Sequence, residues 1–333
     1  MEHPLAWGRR LMNRTPMDST VPAVKPPAGP AMSRLRTFLE LIKFSHSIFA
    51  MPFALVAMFL AVRESGRVLP GVRAIILIVG AMVSARTFAM TFNRIVDRKF
   101  DILNPRTRYR PSVTGALSVR WMSAALAISG ALFVLFTLGF WGAYGNPWPA
   151  ALAVPVLGFI AFYSYTKRFT WLCHFVIGAS LGLAPISAWI ALSPPRGPVL
   201  TVQIIWLAVA VMTWTSGFDL IYAMQDIEVD RRDKLYSLPA RFGPRLGLIV
   251  SRLSHACTLF ALAAFGLALG GGLQLGIIYW IGWVAVAALL ITEQSLVKAD
   301  DLSRVNIAFM TINGIVGLVF GILSITAILL AHV

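Results

Sequence analysis

The sequence predicts an all-α protein, a multi-spanning membrane bundle of nine transmembrane helices. Three properties of the 333 residues support this fold class. The mean hydropathy is +0.75, 58% of the residues are hydrophobic, and only 13% are charged, which is about half the usual share for a soluble domain. Because a bilayer core accepts apolar helices and excludes charge, this composition indicates an integral membrane protein.

Nine apolar segments are each long enough to cross a bilayer core, which takes about 20 residues of helix. In chain order they are 41–62, 72–92, 119–140, 148–166, 173–192, 203–224, 247–269, 273–292 and 306–331. The weakest candidate, 148–166, contains Pro149 and Pro155. Bundled membrane helices tolerate such prolines where neighbouring helices satisfy the freed backbone groups, so we count this segment as a span.

The N-terminal segment differs from the rest of the chain because it is rich in proline and contains no long apolar run. We expect a disordered arm over residues 1–32 and a membrane-embedded domain over residues 33–333. Met32 is an alternative start to Met1. The segment that follows it, MSRLRTFLELIKFSHSIF, has the composition of an interfacial helix that leads into the first span.

Basic residues are distributed unequally between the two sides of such a bundle. If the N-terminus is cytoplasmic, 24 Lys and Arg residues lie in cytoplasmic segments and four lie outside. Cytoplasmic loops of membrane proteins carry an excess of Lys and Arg. We therefore expect a protein of the cell inner (plasma) membrane, with its N-terminus and the loops after spans two and six in the cytoplasm. The same distribution explains the net charge of +15 without a nucleic-acid partner.

Half of the acidic residues lie in two short segments, at the predicted cytoplasmic ends of spans two and six. The first segment is NRIVDRKFD. On a helical wheel of about 100° per residue, Arg86, Asn93, Asp97 and Asp101 fall within about 80° of one another. One helical face therefore carries a guanidinium, an amide and two carboxylates.

The second segment, DLIYAMQDIEVDRRD, repeats this arrangement. On the same wheel Asp219, Tyr222, Asp226 and Asp230 share one stripe, with Asp233 close to it. Glu228 falls on the opposite face. The two segments follow different spans and lie on the same predicted side of the membrane, so we expect them to meet.

Two facing groups of carboxylates repel each other unless positive charge lies between them. Mg²⁺ suits such a position because it takes oxygen ligands, typically one or two carboxylates together with waters and substrate phosphates. We therefore expect Asp97, Asp101, Asp226 and Asp230 to bind Mg²⁺ and, through it, a diphosphate. A salt-bridged, solvated helix end is the simpler alternative, and it explains one Asp pair more easily than two matched groups.

Basic side chains of other loops surround the two acidic segments. NPRTRYRP supplies Arg106, Arg108 and Arg110, and YSYTKRF supplies Lys167 and Arg168. Arg binds phosphate oxygens through a planar fork, and Lys binds them as a point charge. The general excess of cytoplasmic Lys and Arg could also account for any one of these residues alone.

These segments resemble the motifs of the UbiA superfamily of membrane prenyltransferases. The first family motif, an Asn with Asp four and eight positions later, corresponds to Asn93, Asp97 and Asp101, with Arg94 where many members have Asp. Three further patterns occur in family order. They are NPRTRYRPSVTGALS with Arg106 and Arg110, YSYTKR with Lys167, and FDLIYAMQDIEVD with Asp219, Tyr222, Asp226 and Asp230.

The resemblance implies a UbiA-like bundle that transfers a polyprenyl group from polyprenyl diphosphate to an aromatic acceptor, with Mg²⁺ as cofactor. It implies four catalytic, metal-binding aspartates, namely Asp97, Asp101, Asp226 and Asp230. The substrate-binding residues it implies are Asn93, Arg106, Arg110, Lys167, Asp219 and Tyr222, and we add Arg86 because it shares the helical face of Asp97. Aromatic side chains would shield the allylic cation from water, and the candidates are Phe88, Phe92, Phe162, Tyr163, Tyr165 and Trp214.

The identity of the acceptor stays open. DIEVDRRDKLYSLPARFG resembles both 4-hydroxybenzoate polyprenyltransferases of ubiquinone biosynthesis and the branch thought to serve the futalosine route to menaquinone. A membrane anion transporter is the alternative from another functional class. Transporters often show internal repeats and broken helices at the midplane, whereas here the charges lie at one membrane face and the two acidic segments are the only repeat we detect.

Overall fold

The computed structural model describes residues 31–42, 49–192, 199–269 and 275–331. Over these residues the chain is helical and forms no strand. The helices are α1 (Ala31–Leu41), α2 (Met51–Glu64), α3 (Val72–Val96), α4 (Arg98–Leu103), α5 (Pro111–Thr114), α6 (Val119–Tyr144), α7 (Trp148–Thr166), α8 (Cys173–Leu192), α9 (Val202–Ala223), α10 (Ile227–Arg232), α11 (Leu238–Phe242), α12 (Pro244–Ala268), α13 (Ile277–Leu296) and α14 (Asn313–Leu330).

The membrane fold is confirmed. Among the described residues, eight helices are long and apolar enough to cross a bilayer. They are α3, α6, α7, α8, α9 with its extension to Arg232, α12, α13, and α14 with the π-helical turn Ile307–Ile312 before it. The segments 148–166 and 173–192 form helices with the predicted bounds, including the one that contains Pro155.

The predicted first span, 41–62, is represented by α2. This helix has 14 residues, and residues 43–48 lie outside the described ranges. Most of α2 is buried, and it packs against α8 and α14, so it belongs to the interior of the bundle. The predicted arm also lies outside the described residues, apart from Ala31 and Met32, which begin α1.

Helix α9 forms the centre of the bundle and packs between α8 and α12. Most of its side chains are buried, and Trp214 is fully enclosed. The approach of α8 requires glycine, because a Cβ at Gly182 would lie 2.9 Å from the carbonyl oxygen of Ala208 on α9. Close approach through small residues is the usual way in which membrane helices associate, since apolar side chains gain little by leaving lipid.

A buried polar contact joins α9, α13 and α14. The side-chain amide of Asn313 donates to Glu293 Oε1 at 2.9 Å and to the carbonyl of Phe309 at 3.3 Å in the π-helical turn. Its oxygen accepts from Trp214 Nε1 at 2.6 Å. The π-helical turn therefore has a specific partner for its freed carbonyls, as irregular backbone inside a membrane requires.

Candidate active site

A polar cavity of about 330 Å³ lies at the end of the bundle where α3 and α9 stop. Its wall contains all four predicted metal-binding aspartates and all seven predicted substrate-binding residues. The side chains that carry or can carry charge there are Asp97, Asp101, Asp219, Asp226, Asp230, Arg86, Arg94, Arg106, Arg110, Lys167, Arg168 and His174. The two acidic segments therefore meet, as the sequence predicts.

The first segment reaches the cavity through a break in the helix. Helix α3 ends at Val96 and α4 begins at Arg98, and Asp97 between them has φ −88° and ψ 1°. Because the break is a single residue, Asn93, Asp97 and Asp101 all remain on the side of the chain that faces the cavity. The Asn93 amide donates to Asp97 Oδ2 at 2.7 Å, and Asp101 is buried.

The second segment reaches the cavity through a 3₁₀ turn, Met224–Asp226, between α9 and α10. A 3₁₀ turn rotates about 120° per residue instead of about 100°, so three residues add about 60° to the predicted wheel. Asp226 and Asp230 nevertheless both lie in the cavity wall, and Glu228 is exposed. Asp233 lies outside the cavity wall and pairs with Arg232 at 2.7 Å, because α10 ends there.

Four of the five aspartates in the cavity wall form ion pairs with Lys or Arg. Arg168 lies 3.0 Å from Asp97, Arg110 2.7 Å from Asp101, and Lys167 2.8 Å from Asp230. Arg106 donates to both carboxylate oxygens of Asp226 and to the Tyr222 hydroxyl. The positive charge that two facing acidic segments require is therefore supplied at least in part by basic loops of the protein itself.

Burial and pairing change the protonation of the groups that lie beyond the helix ends. Burial raises the pKa of Asp97, although the hydrogen bond and charge of Arg168 oppose this change. Burial disfavours the charged form of Lys167, but the attraction of the Asp230 carboxylate outweighs the effect of burial. The pKa of Lys167 is therefore raised. The same balance, with Asp226 as partner, raises the pKa of Arg106. Both basic groups therefore stay cationic at neutral pH.

The donor chemistry of the cavity fits Mg²⁺. Among the described residues, no three acidic, His or Cys side chains come together as a ready-made metal cage. Mg²⁺ does not need such a cage, because it keeps several waters and binds through one or two carboxylates and substrate phosphates. The carboxylates that would hold the ion, those of Asp97, Asp101, Asp226 and Asp230, all line this cavity.

A second, apolar cavity of about 330 Å³ adjoins the polar one. Five residues line both cavities: Arg86, Met90, Tyr163, Ile177 and Leu181. The apolar cavity runs between α3, α6, α7 and α8 as far as Pro149. The rise of α7 from Tyr163 to Pro149 is about 21 Å at 1.5 Å per residue.

Arg86 has an unusual position at this junction. Its Nε is buried and has no hydrogen-bond partner among the described residues. A buried guanidinium donor without a partner is costly, so it is available for an anionic or polar ligand that enters the cavity.

Comparison with known proteins identifies the family. The model of the UbiA prenyltransferase family matches residues 50–315. The chain belongs to this family. It is therefore an integral membrane prenyltransferase, and the motif resemblance described above is confirmed.

Several relatives of the chain share one name, 4-hydroxybenzoate octaprenyltransferase. The protein of that name from Alkalilimnicola ehrlichii is 29% identical over 255 residues, which is 76% of this chain and 81% of the relative. The one from Sodalis glossinidius is 30% identical over 258 residues, or 76% of this chain and 82% of the relative.

Solved structures agree with this assignment. A UbiA homologue from Aeropyrum pernix has a TM-score of 0.73 and 30% identity, and the match covers 84% of this chain and 97% of that one. A UbiA homologue from Archaeoglobus fulgidus, solved with GPP and Mg²⁺, has a TM-score of 0.61 and 19% identity, covering 88% and 99% of the two chains. The second likeness shows the shared fold.

The UbiA-like site also contains residues that sequence reasoning missed. Asn104 donates to Asp226 at 3.1 Å, the Ser237 hydroxyl donates to Asp230 at 2.6 Å, and His174 contacts Asp219 at 2.7 Å. None of the three lies in a stripe with the aspartates it contacts. Only the fold of the loops brings them together, so the sequence contains no periodic signal for them.

The predicted aromatic wall is only partly correct. Tyr163 lines both cavities. Trp214 is enclosed in the core, whereas Phe162 and Tyr165 are exposed on the surface of the bundle, and Phe88 and Phe92 stack on each other. None of these five lines the polar cavity. Its aromatic residues are Phe49, Phe100, Tyr163, Phe218, Tyr222 and Phe309.

Proposed function

We propose that this enzyme transfers a polyprenyl group from polyprenyl diphosphate to a small aromatic acid of the 4-hydroxybenzoate type, in an Mg²⁺-dependent step of respiratory quinone biosynthesis. The observation that carries the proposal is the junction of the two cavities. A substrate with a diphosphate head and a long apolar tail matches a charged cavity that continues into an apolar one. The names of the relatives, and the homologue solved with GPP and Mg²⁺, support it.

The ends of α3 and α9 would hold the diphosphate. Asp97, Asp101, Asp226 and Asp230 would hold Mg²⁺, and the bound ion would supply positive charge to neutralise the leaving diphosphate. The basic partners of these carboxylates are then free to bind phosphate oxygens. Arg106 and Arg110 offer planar forks, and Lys167 offers a compact point charge.

The acceptor would bind at the junction of the cavities. Arg86 offers an unpartnered guanidinium nitrogen for the carboxylate of an aromatic acid. Asn93, Asp219 and Tyr222 lie in the same polar wall and can orient polar groups on the ring. A small acid at this position lies between the diphosphate head and the apolar cavity, which is where the reactive end of the prenyl chain would lie.

The apolar wall protects the reaction from water. When the C–O bond to the diphosphate breaks, the prenyl carbon becomes an allylic cation, which water would quench. Tyr163, Phe218 and Phe309 contribute aromatic faces to the polar cavity, and such faces attract a cation. The new carbon–carbon bond then forms to a ring carbon of the acceptor in place of water, and that carbon loses its hydrogen as a proton, which the released diphosphate can accept.

We also infer that the site faces the cytoplasm and that residues 33–333 form the catalytic unit. The basis is the division of 24 cytoplasmic against four external basic residues. With this orientation the diphosphate cavity lies on the side of the membrane where soluble precursors and Mg²⁺ are available.

Of the two alternatives to this function, one remains open and the other does not. A futalosine-type precursor of menaquinone remains the rival acceptor within the same chemistry. The anion transporter has no support, because the chain belongs to an enzyme family. The polar cavity also lies at one end of the bundle and continues into an apolar cavity rather than an aqueous path.

The test is a transfer assay on the purified protein. The reaction contains geranyl diphosphate or a longer homologue, Mg²⁺, and either 4-hydroxybenzoate or a futalosine-type precursor, with products identified by mass spectrometry. We expect prenylated 4-hydroxybenzoate. Prenylation of the futalosine-type precursor alone would assign the enzyme to menaquinone synthesis. If neither acceptor is prenylated, the proposed reaction is refuted.

A further inference from the structure

His174 lies in the first turn of α8 and is 2% exposed, yet its ring touches two separate parts of the site. Its Nδ1 lies 2.7 Å from Asp219 Oδ2. Its Nε2 accepts a hydrogen bond from the backbone N–H of Leu238 at 3.3 Å. A nitrogen that accepts from a backbone N–H carries no hydrogen of its own, so the hydrogen of this imidazole is on Nδ1 and is donated to Asp219.

The second contact of His174 connects to Asp230. Leu238 is the first residue of α11, and Ser237 before it is the N-cap of that helix. The Ser237 hydroxyl donates to Asp230 Oδ2 at 2.6 Å. In the same loop, the backbone N–H of Tyr236 donates to the Lys167 carbonyl at 2.7 Å. One imidazole therefore fixes both Asp219 on α9 and the loop that holds Asp230 from behind.

The chemistry of the ring suits this double role. Among the described residues, Asp97, Asp101, Asp226 and Asp230 pair with Lys or Arg, whereas the ion-pair contact of Asp219 is His174. A Lys or Arg in place of His174 would add a fixed positive charge and could not accept from Leu238. Imidazole has one donor and one acceptor in fixed directions, so it can hold a carboxylate and a backbone amide together.

We propose that His174 is a positioning residue for the prenyl transfer, a role that rests on the proposed function. Through Nδ1 it holds Asp219, which contacts the acceptor. Through Nε2 it holds the Ser237–Leu238 loop, and hence Asp230, which contributes to Mg²⁺–diphosphate binding. Partners that orient metal-binding side chains typically change metal affinity or activity about 10- to 100-fold when they are removed.

Two conservative variants separate the two contacts. The amide nitrogen of Asn is close to the place of Nδ1, so His174→Asn retains a donor for Asp219 and loses the acceptor for Leu238. The amide oxygen of Gln is close to the place of Nε2, so His174→Gln retains the acceptor and loses the donor. His174→Ala removes both contacts.

The experiment measures transfer from geranyl diphosphate to 4-hydroxybenzoate, and also the rise in melting temperature on adding geranyl diphosphate with Mg²⁺. For His174→Ala we expect kcat/KM to fall about 10- to 100-fold. For His174→Asn we expect a raised Mg²⁺ concentration for half-maximal activity and a smaller rise in melting temperature, with the acceptor KM unchanged. For His174→Gln we expect the reverse: a raised acceptor KM and a normal Mg²⁺ response.

His255 provides the matched control. It is also a buried histidine, 3% exposed on α12, but it does not line the polar cavity. His255→Asn and His255→Gln should lower the melting temperature without changing either the Mg²⁺ response or the acceptor KM. If the His174 variants behave like these controls, the ring only fills space and the proposal is overturned.

The readouts also separate this inference from the proposed function. If the wild type is stabilised by geranyl diphosphate with Mg²⁺ but transfers nothing to 4-hydroxybenzoate, the proposed acceptor is wrong. The thermal shifts of the Asn and Gln variants then still decide the role of His174. If the wild type shows neither transfer nor Mg²⁺-dependent stabilisation, both proposals are overturned.

Discussion

Asp230 and Glu228 are two residues apart on α10, and the structure predicts opposite consequences for their replacement. Asp230 is 1% exposed and accepts from Lys167 at 2.8 Å and from Ser237 at 2.6 Å. Glu228 is exposed and is absent from the cavity wall. Asp230→Asn and Glu228→Gln each remove one negative charge with little change of shape, so the comparison isolates position.

The expected losses of rate in the two variants differ by more than two orders of magnitude. Loss of a carboxylate that holds Mg²⁺ against the leaving diphosphate should cost about 4 kcal/mol of transition-state stabilisation, which is about a thousandfold in rate. A solvated helix-end carboxylate contributes under about 1 kcal/mol, so Glu228→Gln should change the rate less than about fivefold. Lys167 loses its partner in Asp230→Asn, but its side chain is 34% exposed, so solvent reduces the cost of the lost ion pair to the stability of the fold.

The assay is steady-state turnover of wild type and both variants at saturating geranyl diphosphate and Mg²⁺, with melting temperatures measured on the same samples. Asp226→Asn should behave like Asp230→Asn, because Asp226 lies in the same wall. Equal losses in Glu228→Gln and Asp230→Asn, with folding intact, would refute the reasoning. It would mean that the 3₁₀ turn lets α10 rotate in solution until Glu228 enters the site.

Four further predictions concern metal, pH, orientation and the N-terminal arm. EDTA should abolish transfer and added Mg²⁺ should restore it, whereas full metal-free turnover would indicate direct binding of the diphosphate by Arg and Lys. Burial raises the pKa of Asp97, and Arg168 opposes that change. As the pH is lowered, activity should therefore begin to fall at a pH above the ordinary Asp pKa of about 3.9. Arg168→Gln should move this acidic limb of the pH–rate profile to still higher pH, and a limb that stays in place would exclude Asp97 as its source. The topology can be tested with Arg67→Cys and Arg108→Cys in a protein that lacks the native cysteines. A membrane-impermeant thiol reagent applied from outside should label the first and not the second, and the opposite pattern would show that the orientation is reversed. Deletion of residues 1–32 should leave turnover within about twofold, because the family match begins only at residue 50, and a large loss with folding intact would give the arm a catalytic role.

Helical periodicity predicted the site wherever its residues share a helix. Asp219 and Tyr222 share α9, and Asp226 in the 3₁₀ turn after it lines the same cavity, so their spacing was enough to group them. The same reasoning placed Asn93 beside Asp97, which the structure shows as a direct hydrogen bond.

The sequence could not predict which loop residues contact these helices. Asn104 contacts Asp226 across 122 positions, and His174 contacts Leu238 across 64. Such contacts depend on how α8, α9 and α11 pack, and no spacing within one helix encodes that packing. For the same reason the sequence could not assign a basic partner to each carboxylate, whereas the folded loops bring one to each of four aspartates.

These ion pairs make the two ligands of the proposed reaction depend on each other. A diphosphate that takes Lys167 releases Asp230 for a cation, and a cation that takes Asp230 releases Lys167 for a phosphate oxygen. The diphosphate would thus remove the lysine that competes with the cation, and the cation would remove the carboxylate that competes with the diphosphate. Thermodynamic reciprocity requires that the two ligands raise each other's affinity by the same factor. Free Mg²⁺ or free phosphate must instead break an ion pair without compensation. In the proposed reaction the loops would therefore make the site selective for the metal–diphosphate complex over either ion alone.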